Sequence, residues 1–171
     1  TSGWESFPTA NSTFNITSDS NSGMWAAEVF NNDAGSSAVI KQANLGIGAV
    51  NPGDLIEISF AATGEGAIGG VVFAEFFSEI DGGGSSSSEI LGGGPLSLPA
   101  VMDGYQDFSF TTVAGPDVSG GVTLQFATVT GADSGSVSIL FVDDASVRVV
   151  PEPSALSLLG LGCLAFLRRR R

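Results

Sequence analysis

From residue 1 to residue 153, no stretch of this 171-residue chain repeats its apolar side chains every 3.6 residues, whereas several repeat them every second residue. A period of two is the mark of a half-buried β-strand, because successive side chains leave a strand on opposite faces. In residues 55–60, Ile56, Ile58 and Phe60 share one face while Glu57 and Ser59 take the other. Residues 108–111 and 124–126 alternate likewise, and residues 137–141 place Val137, Ile139 and Phe141 together. Residues 71–80 are more continuously apolar, which suits a strand covered on both faces. Residues 24–30 and 38–42 read as further strands, with 13–17 as a weaker one. Turn formers separate them at 31–33, 51–54, 81–84 and 115–117. Many short strands so punctuated predict an all-β fold, an antiparallel sandwich. The Gly/Ser-rich stretch 81–99 is expected to be a long flexible loop at its rim.

Charge narrows the partners. Residues 1–150 hold 17 acids against Lys41 and Arg148, a net of −15, and residues 151–171 hold Glu152 against four arginines, a net of +3. An acidic body repels phosphate backbones, so nucleic acid is excluded as a partner. The same charge favours divalent cations and keeps an exported protein in solution. Catalysis lacks parts. The chain has no His, so there is no Ser-His or Cys-His pair, and its one cysteine, Cys163, lies inside an apolar run. Glu57, Glu75, Glu79 and Asp107 could in principle supply a carboxylate pair for glycoside hydrolysis, but no spacing pairs them. The chain reads as a non-enzyme that requires no cofactor. Two sequons, at Asn11 and Asn15, are read as chance in a chain so rich in Asn, Ser and Thr.

The C-terminus is a separate unit. Pro151, Glu152 and Pro153 precede fourteen uncharged residues, 154–167, closed by Arg168, Arg169, Arg170 and Arg171. Leucines at 156, 158, 159, 161, 164 and 167 leave no polar face on a helix. Such a helix is about 21 Å long, short of the roughly 30 Å hydrocarbon core, and snorkelling arginine stems lengthen its effective span. The arginines are expected to hold that end on the cytoplasmic side, with the acidic body across the membrane. Pro151 and Pro153 keep the stretch just outside the membrane extended and accessible.

These three parts, in this order, resemble the PEP-CTERM sorting signal of Gram-negative bacteria. The resemblance implies recognition by an exosortase, a membrane-embedded transpeptidase-like protease, in a host that makes exopolysaccharide and often biofilm. It implies a protein held transiently in the inner membrane with its body in the periplasm, then passed to the cell surface or extracellular matrix.

Four segments of the body, in order, are similar to the galactose-binding-like jelly rolls that include many carbohydrate-binding modules. They are Ser2-Gly3-Trp4, residues 22–25 ending in Trp25, residues 50–55, and residues 141–147 around Asp143-Asp144. Tyr105, in residues 103–108, sits where such modules often open a strand with Trp. The resemblance implies a jelly-roll β-sandwich over residues 1–149, followed at 150–171 by the sorting signal with its single hydrophobic, transmembrane helix. Such domains usually begin with one more strand, ending in Phe-Glu, and its absence before Thr1 is expected to leave a sheet edge open.

Candidate site residues follow. Structural calcium in this fold class often takes a carboxylate from the position of Asp144, and Asp33 is a second candidate ligand. Adjacent side chains on an extended strand diverge, so only one of Asp143 and Asp144 is expected to face a site. Sugar binding needs exposed aromatic platforms, and Trp25 and Tyr105 are the candidates. Trp25 nonetheless shares strand parity with Ala27 and Val29, which suggests core packing. The leading expectation is an exported surface protein with a structural or adhesive body. A calcium-dependent module that binds exopolysaccharide is the alternative, and a glycoside-active enzyme stands third. If the tail is a sorting signal, protein recovered from the native cell surface has an intact mass ending near residues 151–153; a mass that still includes Arg168 to Arg171 refutes processing.

Overall fold

The computed structural model describes residues 3–151. Ten strands follow one another: β1 Glu5–Phe7, β2 Ser12–Thr17, β3 Ala26–Asn31, β4 Ser37–Leu45, β5 Leu55–Ala67, β6 Val71–Glu79, β7 Ser85–Ile90, β8 Gln106–Val113, β9 Gly121–Val129 and β10 Val137–Val149. They form two five-stranded sheets, ordered β1-β4-β9-β6-β7 and β2-β3-β10-β5-β8, and every pairing is antiparallel. We name them sheet A and sheet B. The expected transmembrane helix, with Glu152, Pro153 and Arg168 to Arg171, lies outside the described residues. Among the described residues no helix is long and apolar enough to cross a membrane.

The core forms where the alternating residues of the two sheets meet. Ile56, Ile58, Phe60 and Ala62 of β5 face Ala74 and Phe76 of β6 and Val122, Leu124 and Phe126 of β9, all buried. Phe60 is its centre. Its ring stacks on Phe108 at 5.3 Å and meets Phe126 edge-on at 4.8 Å, so three strands of two sheets are fixed to one another by aromatic contact.

The strand expected at 137–141 forms, but with its faces exchanged. Ser138, Leu140 and Val142 point inward, while Val137, Ile139 and Phe141 are half-buried on the outer face. A period of two tells which residues share a face but not which face is covered. Here the buried hydroxyl of Ser138 donates to the Val71 carbonyl (2.8 Å), so a polar residue is satisfied at an inward position.

The stretch 81–99 is not a flexible loop. Residues 85–90 form β7, the edge strand beside β6, and the 3-10 turn Leu91–Gly93 buries Leu91 in the core. Beyond it, the Leu96 amide donates to the Val72 carbonyl (2.8 Å), and Pro99 accepts from the Gly64 amide (3.0 Å) and the Thr63 hydroxyl (3.0 Å). Ladder hydrogen bonds come from the backbone, so a serine run pairs as well as an apolar one on an edge. Composition alone reads such a strand as loop.

Truncating Phe60 to Ala removes contacts to both sheets, and is expected to lower unfolding stability by about 3–5 kcal/mol. Urea denaturation followed by Trp fluorescence measures this, and a loss below 1 kcal/mol would show that Phe60 is not the centre of the core.

Candidate functional site

Between the short edge strands β1 and β2 the two sheets do not close, and a crevice of about 300 Å³ runs inward from that edge. Phe14, Val29, Ile40 and Val142 give it an apolar floor, with Trp4 as one wall, its ring stacked on Phe126 at 5.9 Å. Trp25, Glu28, Asp143 and Asp144 lie around its mouth.

Trp25 is 58% exposed, contrary to the core position its parity suggested. The ladder of β3 starts only at Ala26, so alternation does not reach Trp25, which belongs to the preceding loop. That loop is held from below by β10. The pairing of β10 with β5 slips between Asp143 and Ser146, and Asp144 takes a left-handed backbone conformation (φ 53°). The bulge breaks strand alternation, and both neighbouring carboxylates therefore reach the same loop. Asp144 accepts from the Ser22 hydroxyl (2.6 Å) and the Asn21 amide (3.0 Å), and Asp143 accepts from the Ser22 backbone amide (3.0 Å). The expectation that only one of the pair could face a site is thereby corrected.

Tyr105 does not line the crevice. It sits at the entry to β8, where its hydroxyl donates to the Asp19 carbonyl (2.8 Å) and tethers the far end of the same loop. Burial, with help from the nearby charges of Asp19 and Asp143, pushes its pKa up to about 12. The phenol stays a donor at every physiological pH. Trp25 is thus presented on a loop pinned at two places, by Tyr105 and by the Asp143-Asp144 bulge.

Asp33 lies elsewhere. It follows the other end of β3, six strand residues or about 20 Å from Trp25. There its carboxylate accepts from the Ala10 amide (3.1 Å) and the Asn11 side chain (3.4 Å), joining a corner built around buried Asn31. Asp33 and Asp144 therefore cannot share an ion. All four carboxylate oxygens of Asp143 and Asp144 already accept hydrogen bonds from the chain. Calcium takes six to eight oxygens, and among the described residues no group of three or more His, Cys, Asp and Glu is placed to hold a metal. Asp143 and Asp144 together supply four carboxylate oxygens, fewer than calcium takes.

The four acids considered for hydrolysis are dispersed. Glu57 is ion-paired to Arg148 (2.7 Å) on the outer face of sheet B, which also carries Asp107, while Glu75 and Glu79 lie on the outer face of sheet A. Within each face the two acids stand four strand positions apart, about 13 Å along the backbone. That exceeds the spacing of a hydrolytic carboxylate pair, 9.5 Å at most.

The outer face of sheet A carries a feature the sequence did not reveal. Strand pairing lines up Glu5, Lys41, Gln125 and Glu75 across it. The Gln125 amide donates to Glu75 (2.6 Å), and the Lys41 ammonium stands 4.9 Å over the Phe7 ring. Two residues from Gln125 along β9, Thr123 is 1% exposed and its hydroxyl has no hydrogen-bond partner among the described residues. Only the pairing register reveals this row, because its members come from four separate strands.

Residues 149–171 match the PEP-CTERM protein-sorting motif. That signal marks an exported protein that an exosortase sorts at the membrane. No curated protein matches the chain in sequence. Among solved structures, the CBM22-1 xylan-binding domain from Paenibacillus barcinonensis Xyn10C aligns at TM-score 0.59 and 10% identity, over 89% of this chain and 88% of that one. TmCBM61, solved in complex with β-1,4-galactotriose, aligns at TM-score 0.52 and 14% identity, over 87% and 90%. The enzymatically active domain of tailspike protein 4 of bacteriophage CBA120 aligns at TM-score 0.62 and 12% identity over 87% of this chain, which spans only 20% of that one. At these identities the likeness is one of fold, the jelly-roll sandwich of carbohydrate-binding modules.

The loop clip has a defined pH dependence. Hydrogen bonds from the Ser22 hydroxyl and then the Asn21 amide hold the Asp144 carboxyl below the ordinary 3.8. A depressed folded value contributes stability that is present above the ordinary value and lost as pH falls through the folded one. In a Trp4→Phe background, Trp25 emission is expected to stay constant from pH 7 to about 4 and to shift only below that range. Asp144→Ala should produce the shifted emission already at pH 7, and emission indifferent to Asp144→Ala would show that the clip does not hold the loop.

Proposed function

We propose that the folded body is a non-catalytic polysaccharide-binding module, carried to the cell surface by its sorting signal and adhering there to matrix glycan. The observation that carries this reading is Trp25, an exposed indole fixed at the mouth of a crevice and ringed by Glu28, Asp143 and Asp144. The apolar face of a pyranose stacks on an aromatic ring, and its hydroxyls are donors that carboxylates accept. The same arrangement disfavours uronic acids and sulfated sugars, since mouth and body are both acidic. Neutral polysaccharide is the ligand class that fits. The fold of carbohydrate-binding modules supports this only as analogy, because folds host many functions.

A second reading rests on the row of Glu5, Lys41, Gln125 and Glu75, with Gln125 paired to Glu75, which favours the outer face of sheet A as the glycan surface. Affinity electrophoresis of the purified protein in gels containing neutral polysaccharides separates the two. Trp25→Ala is expected to weaken binding tenfold or more, equivalent to about 1.4 kcal/mol, with Gln125→Ala close to wild type. The converse pattern would move the site to sheet A. Retardation by none of a broad glycan panel would refute glycan binding and leave a structural body.

A further inference from the structure

The sorting motif starts on the fold itself. Its first matched residue, Val149, is the last residue of β10 and pairs with Ile56, and the amide of Val150 donates to the Leu55 carbonyl (2.8 Å). The partner strands are firm at this end. Leu55 pairs with Val113, the Gly53 amide donates to the Ala114 carbonyl (3.0 Å), and the Ala114 amide donates to the Asp54 carbonyl (2.9 Å). One residue before the motif, Arg148 is locked to Glu57. No spacer separates the body from the segment to be processed.

Reach then becomes restrictive. Residues 150–153 extend at most about 3.5 Å each, so, with the hydrogen bond included, chain length alone keeps the start of the apolar run at residue 154 within about 17 Å of the Leu55 carbonyl. Any protein that grips the Pro-Glu-Pro stretch as extended backbone must lie against this end of the sandwich. Leu55 and Val113, paired across β5 and β8, are exposed side by side on the outer face of sheet B (38% and 57%), while Val149, paired with buried Ile56, turns to the other face. Residues 1–150 carry a net charge of −15, and negatively charged lipid headgroups repel such a body. An apolar protein surface does not.

We propose that Leu55 and Val113, side by side on the outer face of sheet B where the chain leaves, form a docking surface for the exosortase, so that the enzyme engages the folded body together with the motif. This rests on the sorting reading and adds a contact outside the 149–171 motif for Leu55 and Val113. Docking on the body selects folded substrate, because Leu55 and Val113 are neighbours only when β5 pairs with β8.

The test is pulse–chase of the full chain in exosortase-producing cells, with processing followed by intact mass. Val113→Asp, at an exposed position, is expected to slow processing at least fivefold while leaving the urea midpoint of the purified protein unchanged. A twelve-residue Gly/Ser spacer between Val150 and Pro151 moves the body away from the enzyme. In that background Val113→Asp should have no effect. Processing of Val113→Asp at the wild-type rate without the spacer overturns the proposal, as does an equal slowing with it. Co-sedimentation of the purified body with phosphatidylglycerol vesicles, lost in Val113→Asp, would assign the patch to lipid and also overturn it. Replacing Pro151, Glu152 and Pro153 together by Ala reports on the sorting reading alone. If that variant is processed like wild type, the sorting reading falls and takes the proposal with it.

Discussion

The antiparallel ladder between β5 and β10 is the constraint on which the other features depend. Both strands run for thirteen residues. Above the bulge, β10 delivers Leu140 and Val142 to the core. At the bulge it turns Asp143 and Asp144 toward the loop that presents Trp25. Below the bulge it resumes pairing through Val149 and gives its last amide to Leu55 at the start of the sorting motif. One strand therefore fixes the geometry of the core, the crevice and the exit of the tail. An extra residue in a ladder kinks and re-aims a strand at the cost of some pairing, and here the long pairing on either side holds the kink in place.

The sandwich is held together with little use of charge. The body has few ionic contacts, and Arg148–Glu57 is the one ion pair among the described residues. Its order comes from aromatic packing around Phe60 and from buried Ser, Thr and Asn side chains satisfied by backbone, as with Asn31 and the Thr128 carbonyl (2.8 Å). Hydroxyls and amides do not depend on pH as carboxylates do. The acids are left to the surface, where they keep the chain soluble and shape what can approach.

Much of this was legible in the sequence, and the failures have physical causes. Ile56, Ile58 and Phe60 were placed correctly because both neighbours of β5 cover it and the polar residues alternate with them. Val137, Ile139 and Phe141 share a face as expected, yet the covered face is the other one, since Ser138 finds a carbonyl at an inward position. The serine run of β7 carries no apolar signal, although its backbone pairs normally. Trp25 and Asp143-Asp144 were read with strand alternation where a loop and a bulge suspend it. The sorting motif was legible because its signal lies in composition and order, which need no tertiary partner to be read. The Glu5–Lys41–Gln125–Glu75 row was out of reach, because register between strands far apart in sequence is set by the whole fold.

A sheet sandwich that ends directly on its sorting signal joins two demands that pull in opposite directions. An enzyme that reads extended backbone favours a loose, accessible segment, whereas β10 gains its stability by pairing to its last residue. With Val150 hydrogen-bonded to Leu55, loosening the motif means fraying a strand whose upper part anchors the crevice loop. The bulge at Asp144 and Ala145 lies between these two parts of the strand. It interrupts the β5 ladder between the crevice and the exit, so the four pairs from Ser146 to Val149 keep a register of their own, apart from that of Val137 to Asp143. Proteins open locally in roughly contiguous cooperative units, and the bulge marks a boundary between two such stretches of ladder. The same irregularity that aims two carboxylates at one loop thus separates the part of β10 that holds the crevice from the part that leads to the sorting motif.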